Sequence, residues 1–262
     1  MVDTVDTYKL PVVKIFIEAL QLPGRHLATL IRIGSPFLIV VLAITAVNHF
    51  FQYDSVENSS LPFWGSFALI AIMFVATSVM AIVGCHRTFL MDPKEVTETK
   101  PIRWGGREMR FVGWWIVIVL CAALTAIPLI MVLTPFFLPL NNSSSENFFL
   151  SRWIRILIGL PPSYFISRWS LLLPAVATDK RYNLPWSWFL SKGNGIRLTV
   201  LVGLLPFVTD SLFELMPTFD SLLYSLFTGV VWIVVAVIEI GLLSLSYQYL
   251  SQNIVQQRDN SE

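Results

Sequence analysis

The sequence predicts an all-α, polytopic membrane protein with six transmembrane helices and about three interfacial amphipathic helices. Three observations carry this prediction: the composition, the length of the apolar runs, and the placement of the basic residues. Hydrophobic residues make up 55% of the 262 residues, charged residues 13%, and the mean hydropathy is +0.67. Because a soluble domain has roughly 25% charged residues, this composition excludes a soluble globular domain.

The apolar residues are gathered in six runs, each near the roughly 20 residues that cross a hydrocarbon core about 30 Å thick. The runs cover residues 33–51, 63–84, 111–136, 153–178, 197–214 and 222–249. Pro174 and Pro206 lie inside two of them and are expected to kink their helices, since proline has no backbone N–H. The connections are too short for a folded catalytic module, so residues 1–262 are expected to form one integral membrane domain.

The basic residues predict the orientation. Of the eighteen Lys and Arg residues, fifteen lie in the leading segment, the second and fourth connections, and the tail. The first, third and fifth connections contain none. Arg152 and Arg155 flank the fourth run on the opposite side, and Arg168 lies inside that run. By the positive-inside rule, the side that carries the fifteen is cytoplasmic, so both termini are predicted to be cytoplasmic.

Three segments that precede the first, third and fifth runs are predicted to be helices at the cytoplasmic interface. These segments are residues 10–22, 102–110 and 184–192. Each combines apolar or aromatic side chains with basic ones, which suits the boundary between acyl chains and headgroups. The side chains expected to anchor these helices there are Trp104, Trp186, Trp188 and Lys192.

Helix breakers that follow two of the segments and lie inside the one at 102–110 indicate a repeated unit. They are Pro23-Gly24, Gly105-Gly106 and Gly193-Asn194-Gly195. A shift of 170 residues places Pro36-Phe37 on Pro206-Phe207. These features favour a unit of interfacial helix, sharp turn and transmembrane hairpin that is used three times. The alternative, that amphipathic helices simply precede the spans of a polytopic protein, stays open.

Residues 164–198 carry a resemblance to a known family. Their pattern is Arg168-x-Ser170-x-x-x-Pro174-Ala175, then Ser187-Trp188-x-Leu190-x-Lys192-Gly193-Asn194 and Arg197. It resembles a group of bacterial multi-pass proteins that are similar to the membrane domain attached to some glycerophosphoryl diester phosphodiesterases. The resemblance implies a membrane fold and a bacterial inner membrane. It implies no reaction, because the sequence does not contain the catalytic domain of those phosphodiesterases.

The sequence contains no recognisable set of catalytic, cofactor-binding or metal-binding residues. Its histidines, His26, His49 and His86, lie in different segments, without an HExxH motif or a Cys pair. Neither a Walker loop nor a Gly-x-Ser-x-Gly elbow occurs. We therefore expect a protein that is not an enzyme and that binds no cofactor, metal ion or nucleic acid.

Two charged residues lie inside apolar runs. Arg168 precedes the end of the fourth run, near Thr178, by ten residues, and Glu239 precedes the end of the sixth, near Leu250, by eleven. At 1.5 Å per residue, both lie about 15–17 Å from that end, close to the midplane. An isolated charge there costs at least about 2.5–3.5 kcal/mol, so each needs a partner or a water-filled cavity.

Two interpretations of these charges follow. In the first, Arg168 and Glu239 form a buried ion pair that fixes the register of two helices. In the second, they line a polar cavity or substrate pathway together with Tyr164 and Ser246.

The sequence favours a non-enzymatic function, either as a scaffold or in handling lipids or other amphiphiles. A small transporter or permease-like subunit is the alternative, and a membrane-embedded enzyme of lipid metabolism is third. A transporter predicts a continuous polar cavity that reaches Arg168 and Glu239, whereas a scaffold predicts that packing seals them. The expected partners are the lipid bilayer and a bound lipid or amphiphile, and the sequence predicts no particular protein partner.

Overall fold

The fold is built of helices. A computed structural model describes residues 9–50, 61–97, 102–137, 147–214 and 221–259, and no strand occurs among them. The described α-helices are α1 (Val12–Arg25), α2 (Leu27–Phe50), α3 (Leu61–Leu90), α4 (Pro93–Thr97), α5 (Gly106–Phe137), α6 (Asn147–Trp169), α7 (Leu172–Ala177), α8 (Leu184–Leu190), α9 (Gly195–Leu198), α10 (Leu205–Glu214) and α11 (Leu222–Asp259). A π-helical segment, Thr199–Gly203, joins α9 to α10.

Four of these helices are long and apolar enough to cross a membrane. The qualifying stretches are Leu27–Thr45 in α2, Ala68–Leu90 in α3, Gly106–Val132 in α5 and Leu222–Asn253 in α11. They overlap the first, second, third and sixth apolar runs of the sequence. The four helices indicate a membrane location for the protein.

The fourth run, residues 153–178, is not one continuous helix. Helix α6 ends at Trp169, and the short helix α7 follows after a tight turn. Pro174 has no N–H to donate to the carbonyl of Ser170, which instead accepts a bond from Leu173 N, three residues on, at 2.9 Å. Proline therefore breaks the helix here instead of only kinking it.

The fifth run, residues 197–214, is also divided. Its first part widens into the π-helical segment, in which Leu204 N donates to Thr199 O over five residues, at 2.8 Å. Pro206 follows at the start of α10. Because proline has no N–H, it cannot donate the backbone bond that a regular α-helix would have at this position. The run thus consists of three short pieces.

Two of the three predicted interfacial segments are helices. Helix α1 covers most of residues 10–22 but continues through Pro23-Gly24 and ends at Arg25, so the expected breaker lies inside it. Helix α8 covers Leu184–Leu190, two residues less than predicted. Asn183 is the N-cap of α8, and its side chain accepts a bond from Trp186 N at 3.0 Å. Gly193, in the turn after the helix, has φ of 77°.

The third predicted interfacial helix, residues 102–110, is wrong. Ile102–Gly105 are not helical, and residues 106–110 form the first turn of the long helix α5. The carboxylate of Glu108 accepts a bond from Gly105 N at 2.9 Å, which caps α5 at this point. The Gly105-Gly106 pair therefore marks the start of a helix instead of a break between two.

The core is centred on α7, whose residues are all buried. Leu171 and Ala175 belong to a cluster with α1, α8 and α11, while Leu172, Leu173 and Val176 belong to a second cluster with α3 and α5. The short helix thus connects both halves of the bundle. It also fixes the residues on either side of it, Arg168 at the end of α6 and Asp179 after α7.

Candidate functional site

Arg168 lies in the last turn of α6, and only 6% of its surface is exposed. Its Nε donates to the hydroxyl of Ser191 at 2.7 Å, and its Nη2 donates to the carbonyl of Trp188 at 2.7 Å. Its Nη1 donates to the hydroxyl of Tyr164 at 3.1 Å. All three guanidinium nitrogens therefore bond to neutral oxygens, on α8 and on the preceding turn of α6.

Aromatic rings surround the same guanidinium. Arg168 Cζ lies 3.4 Å from the ring centroid of Trp188 and 5.6 Å from that of Tyr164. Phe165 stacks on Trp188 with 5.9 Å between centroids and 18° between planes. The negative faces of aromatic rings attract a cation, so this cage stabilises the buried charge without a carboxylate.

The structure does not bring Arg168 and Glu239 together. Arg168 takes part in none of the ion pairs that join described residues. Glu239 lies on α11, where its carboxylate accepts from the Thr209 hydroxyl of α10 at 3.5 Å. The predicted ion pair is therefore wrong. The prediction placed both charges at the same depth by assuming one continuous helix over residues 153–178. Helix α6 instead ends beside Arg168, and the side chain of Arg168 bonds to α8.

The remaining predicted residues have separate surroundings. Ser246 is fully buried on α11, and its hydroxyl has no hydrogen-bond partner among the described residues. Trp186 is half-buried and stacks on Tyr182 with 3.7 Å between centroids, so it also packs against a side chain of the protein. Trp104 and Lys192 are exposed, and their role as interfacial anchors stays a prediction. Only Tyr164 and Trp188 lie beside Arg168.

An apolar cavity of about 390 Å³ lies between α2, α3 and α11. The side chains and backbone that line it include Leu30, Gly34, Phe37, Ala81, Trp232 and Val237. Ser78 also lines it, but its hydroxyl donates to Phe74 O at 2.6 Å and is thereby satisfied. At Gly34, a Cβ atom would meet no other atom within 4 Å, so the glycine leaves open space at the wall. The volume is in the range of ligand-binding pockets, roughly 300–1,000 Å³.

A buried polar contact links two walls of this cavity. His86 of α3 and Ser244 of α11 are buried, and the His86 Nδ1 and Ser244 Oγ atoms lie 2.8 Å apart. The bond fixes the distance between the two helices at one end of the cavity. In the sequence, His86 follows the second apolar run and Ser244 lies inside the sixth, and nothing in their spacing of 158 positions predicts the contact.

A second charged site, which we call the arginine cluster, consists of Arg87, Arg107, Arg110 and Asp179. One oxygen of Asp179, Oδ2, accepts from Arg87 Nη1 at 3.3 Å and from Arg107 Nη1 at 3.0 Å. The other, Oδ1, accepts from Arg110 Nη2 at 3.3 Å. Asp179 thus joins α3 and α5 to the end of α7.

The position of Asp179 follows from the way α7 ends. Asp179 N donates to Val176 O at 3.0 Å, and Lys180 N donates to Ala175 O at 3.0 Å. Asp179 itself has φ of 63°, a left-handed conformation that aspartate tolerates better than most residues do. The sequence analysis missed this site. Its one local signal is an aspartate directly after an apolar run and before Lys180-Arg181.

Comparison of the chain with protein-family models, with characterised proteins and with solved structures finds no match, so the resemblance to the phosphodiesterase-associated membrane domain stays a prediction.

Proposed function

We propose that the protein binds a lipid or another amphiphile inside the membrane and does so without catalysing a reaction. The hydrocarbon part of this ligand would occupy the apolar cavity between α2, α3 and α11. The observation that carries the proposal is the cavity itself, because it opens between helices that are long enough to cross a membrane.

Two features of the cavity favour an acyl chain over a polar solute. Its lining is almost wholly apolar, and the hydroxyl of Ser78 already donates to the backbone, so the walls cannot replace the hydrogen bonds that a polar solute loses on leaving water. The open space at Gly34 and the small side chain of Ala81 leave room for a flexible chain of methylene groups. A scaffold role is compatible with such a bound lipid.

The surroundings of Arg168 bear on the transporter alternative. A transport pathway through this residue requires a polar cavity that reaches the guanidinium. Arg168 instead is buried, with its nitrogens bonded to Ser191, Trp188 and Tyr164. This packing supports a structural role for Arg168 and favours lipid binding over transport.

We also propose six spans with both termini in the cytoplasm of a bacterium. The helices α6 and α7 together would form the fourth span. The segments from Gly195 to Glu214 cover 20 residues, enough for the fifth span if the broken backbone is buried in the bundle. The alternation of the fifteen basic residues supports this orientation in an inner membrane.

The cavity proposal is tested by filling the cavity. Gly34→Leu puts a branched side chain into the open space, so the purified protein should retain several-fold less phospholipid than the wild type, as measured by mass spectrometry of the intact complex. Gly113→Leu is the matched control, because a Cβ at Gly113 on α5 also meets no atom within 4 Å but lies outside the cavity. Equal lipid retention in both variants and the wild type would contradict the proposal.

A further inference from the structure

We propose that the arginine cluster binds a phosphate group. The group can come from the headgroup of an anionic phospholipid or from free phosphate, and the chemistry of recognition is the same for both. This site is separate from the apolar cavity. Cys85 lines the cavity, whereas Arg87 follows two residues later, about 200° around the same helix, on its opposite side.

The depth of the cluster in the bundle suits a phospholipid phosphate. Arg87 lies three residues before the end of the membrane-crossing stretch of α3, Ala68–Leu90. Arg107 and Arg110 lie at the start of the corresponding stretch of α5, Gly106–Val132. The guanidinium groups therefore occupy the level at which the apolar stretches end. Phospholipid headgroups lie at that level, and basic pockets between helices there bind anionic headgroups.

The charges of the cluster do not balance. Three guanidinium groups share the single carboxylate of Asp179, and among the ion pairs between described residues one further carboxylate takes part, that of Glu108, which accepts from Arg107 Nε at 3.1 Å. Three positive charges against two negative ones leave one positive charge in excess, and Arg103 and Glu95, which also act on Arg87, add one charge of each sign and leave that excess unchanged. Arg181, two residues after Asp179, is a further basic residue in the same connection, whereas the ammonium group of Lys180 lies over the ring of Tyr247 on α11.

The hydrogen-bonding capacity of the arginines is also not used up. The Nε atoms of Arg87 and Arg110 are buried and have no hydrogen-bond partner among the described residues. The contacts of both residues to Asp179 measure 3.3 Å, longer than the roughly 2.7–2.9 Å of a strong charge-assisted bond. A phosphate group has more acceptor oxygens than a carboxylate, and it matches the planar fork of a guanidinium group.

Asp179 leaves room for such a ligand. Its side chain is 53% exposed, whereas those of Arg87 and Arg107 are each only 10% exposed. The arginines therefore form the floor of the site, and the carboxylate covers them from the outer side. A phosphate group that approaches from that side meets the guanidinium groups of Arg107 and Arg110 and is repelled by Asp179. The carboxylate should thus weaken binding while it neutralises part of the positive charge of the empty site.

The test is a calorimetric titration of the purified full-length protein in a neutral detergent. One titrant is dihexanoyl phosphatidylglycerol, and the other is inorganic phosphate. Arg110→Gln removes the most exposed arginine of the cluster and should weaken binding about fivefold, as expected for one basic residue near a charged surface. Asp179→Asn removes the repelling carboxylate and should strengthen binding by a similar factor. Arg25→Gln on α1 is the matched control and should change the affinity less than twofold.

The two titrants identify the source of the phosphate group. Binding of the lipid alone assigns the site to a phospholipid headgroup, and equal binding of inorganic phosphate assigns it to free phosphate. The proposal is overturned if neither titrant binds to the folded protein, if Arg25→Gln weakens binding as much as Arg110→Gln does, or if Asp179→Asn weakens it. The opposite effects expected for Arg110→Gln and Asp179→Asn exclude a general loss of folding as the cause. Gly34→Leu should leave this titration unchanged, so the outcome is independent of the cavity proposal.

Discussion

The guanidinium of Arg168 and the side chain and backbone of Trp188 form a double contact. Arg168 Cζ lies 3.4 Å from the centroid of the indole ring, and Nη2 donates to the carbonyl oxygen of the same tryptophan at 2.7 Å. The contact joins the end of α6 to α8, which are separated in the chain by α7 and the turn that contains Asp179. It gives a buried positive charge both a face of π electrons and an oxygen acceptor.

This contact predicts that lysine cannot replace Arg168. Lysine keeps the charge, but its single ammonium group cannot reach Ser191, Tyr164 and the Trp188 carbonyl together in the directions that the guanidinium fork allows. Arg168→Lys should therefore lower the free energy of unfolding by about 2–3 kcal/mol, the loss expected for one or two bonds to a charged group. The measurement is the denaturation midpoint in detergent. A midpoint equal to that of the wild type would show that the three bonds do not contribute.

The same geometry predicts which partner of Arg168 is energetically coupled to it. In a double-mutant cycle, Arg168→Ala with Trp188→Leu should destabilise the protein by less than the sum of the two single changes, with a coupling energy of about 1 kcal/mol or more. Arg168→Ala with Glu239→Ala should be additive within about 0.5 kcal/mol, because the two residues are not bonded. A strong coupling to Glu239 would restore the midplane ion pair as the better description.

The sequence predicted that Arg168 needs a partner, but it did not predict the correct one. The cost of a buried charge requires compensation, yet it does not specify a carboxylate. An unbroken helix over residues 153–178 places Glu239 at the same depth as Arg168, and the sequence therefore predicts that pair. Tryptophan is common at membrane boundaries, so the sequence predicts an interfacial anchor at Trp188. The chain breaks after α6, and the side chain of Arg168 bonds to Trp188 and Ser191 instead of reaching α11.

Helices and side-chain clusters differ in what a sequence can predict about them. The length and apolarity of α2, α3, α5 and α11 are local properties, and the sequence predicted these helices well. The contact between Arg87 and Asp179 spans 92 positions, and no local pattern relates the two residues. The capping of α5 by Glu108 lies between these two cases in how far the sequence can predict it. Its signal, a glutamate three residues after a glycine, is local but was outweighed by the Gly105-Gly106 pair.

The topology is predicted from the basic residues and is tested with reporter fusions. Fusions after Lys100 and Lys192 should be active in the cytoplasm, because basic connections stay on that side. Fusions in the connections without basic residues should be active in the periplasm; the sites are Glu57, Ser144 and Phe219. The fusion at Phe219 is the most informative, because it follows the divided segment that ends with α10. Cytoplasmic activity there would show that this segment does not cross the membrane and would leave fewer than six spans.

The packing of α2 against α3 requires a glycine at position 84. A Cβ atom added there would overlap Cγ2 of Ile33, which belongs to a β-branched side chain that has few alternative rotamers in a helix. Gly84→Ala should therefore cost about 1–3 kcal/mol of unfolding free energy, despite the better helix propensity of alanine. Gly113→Ala is the matched control, since its Cβ meets no atom within 4 Å, and it should be neutral or slightly stabilising.

A second substitution shows whether the loss at Gly84 comes from this overlap. Ile33→Ala removes Cγ2 and destabilises the protein by itself, because Ile33 is buried and its loss leaves a cavity. If the two side chains compete for one space, the double variant with Gly84→Ala should be more stable than the sum of the single losses predicts, since the new methyl group partly fills that cavity. Thermal unfolding in detergent measures all four proteins of the cycle. Strict additivity would mean that α2 and α3 do not approach each other closely at Gly84.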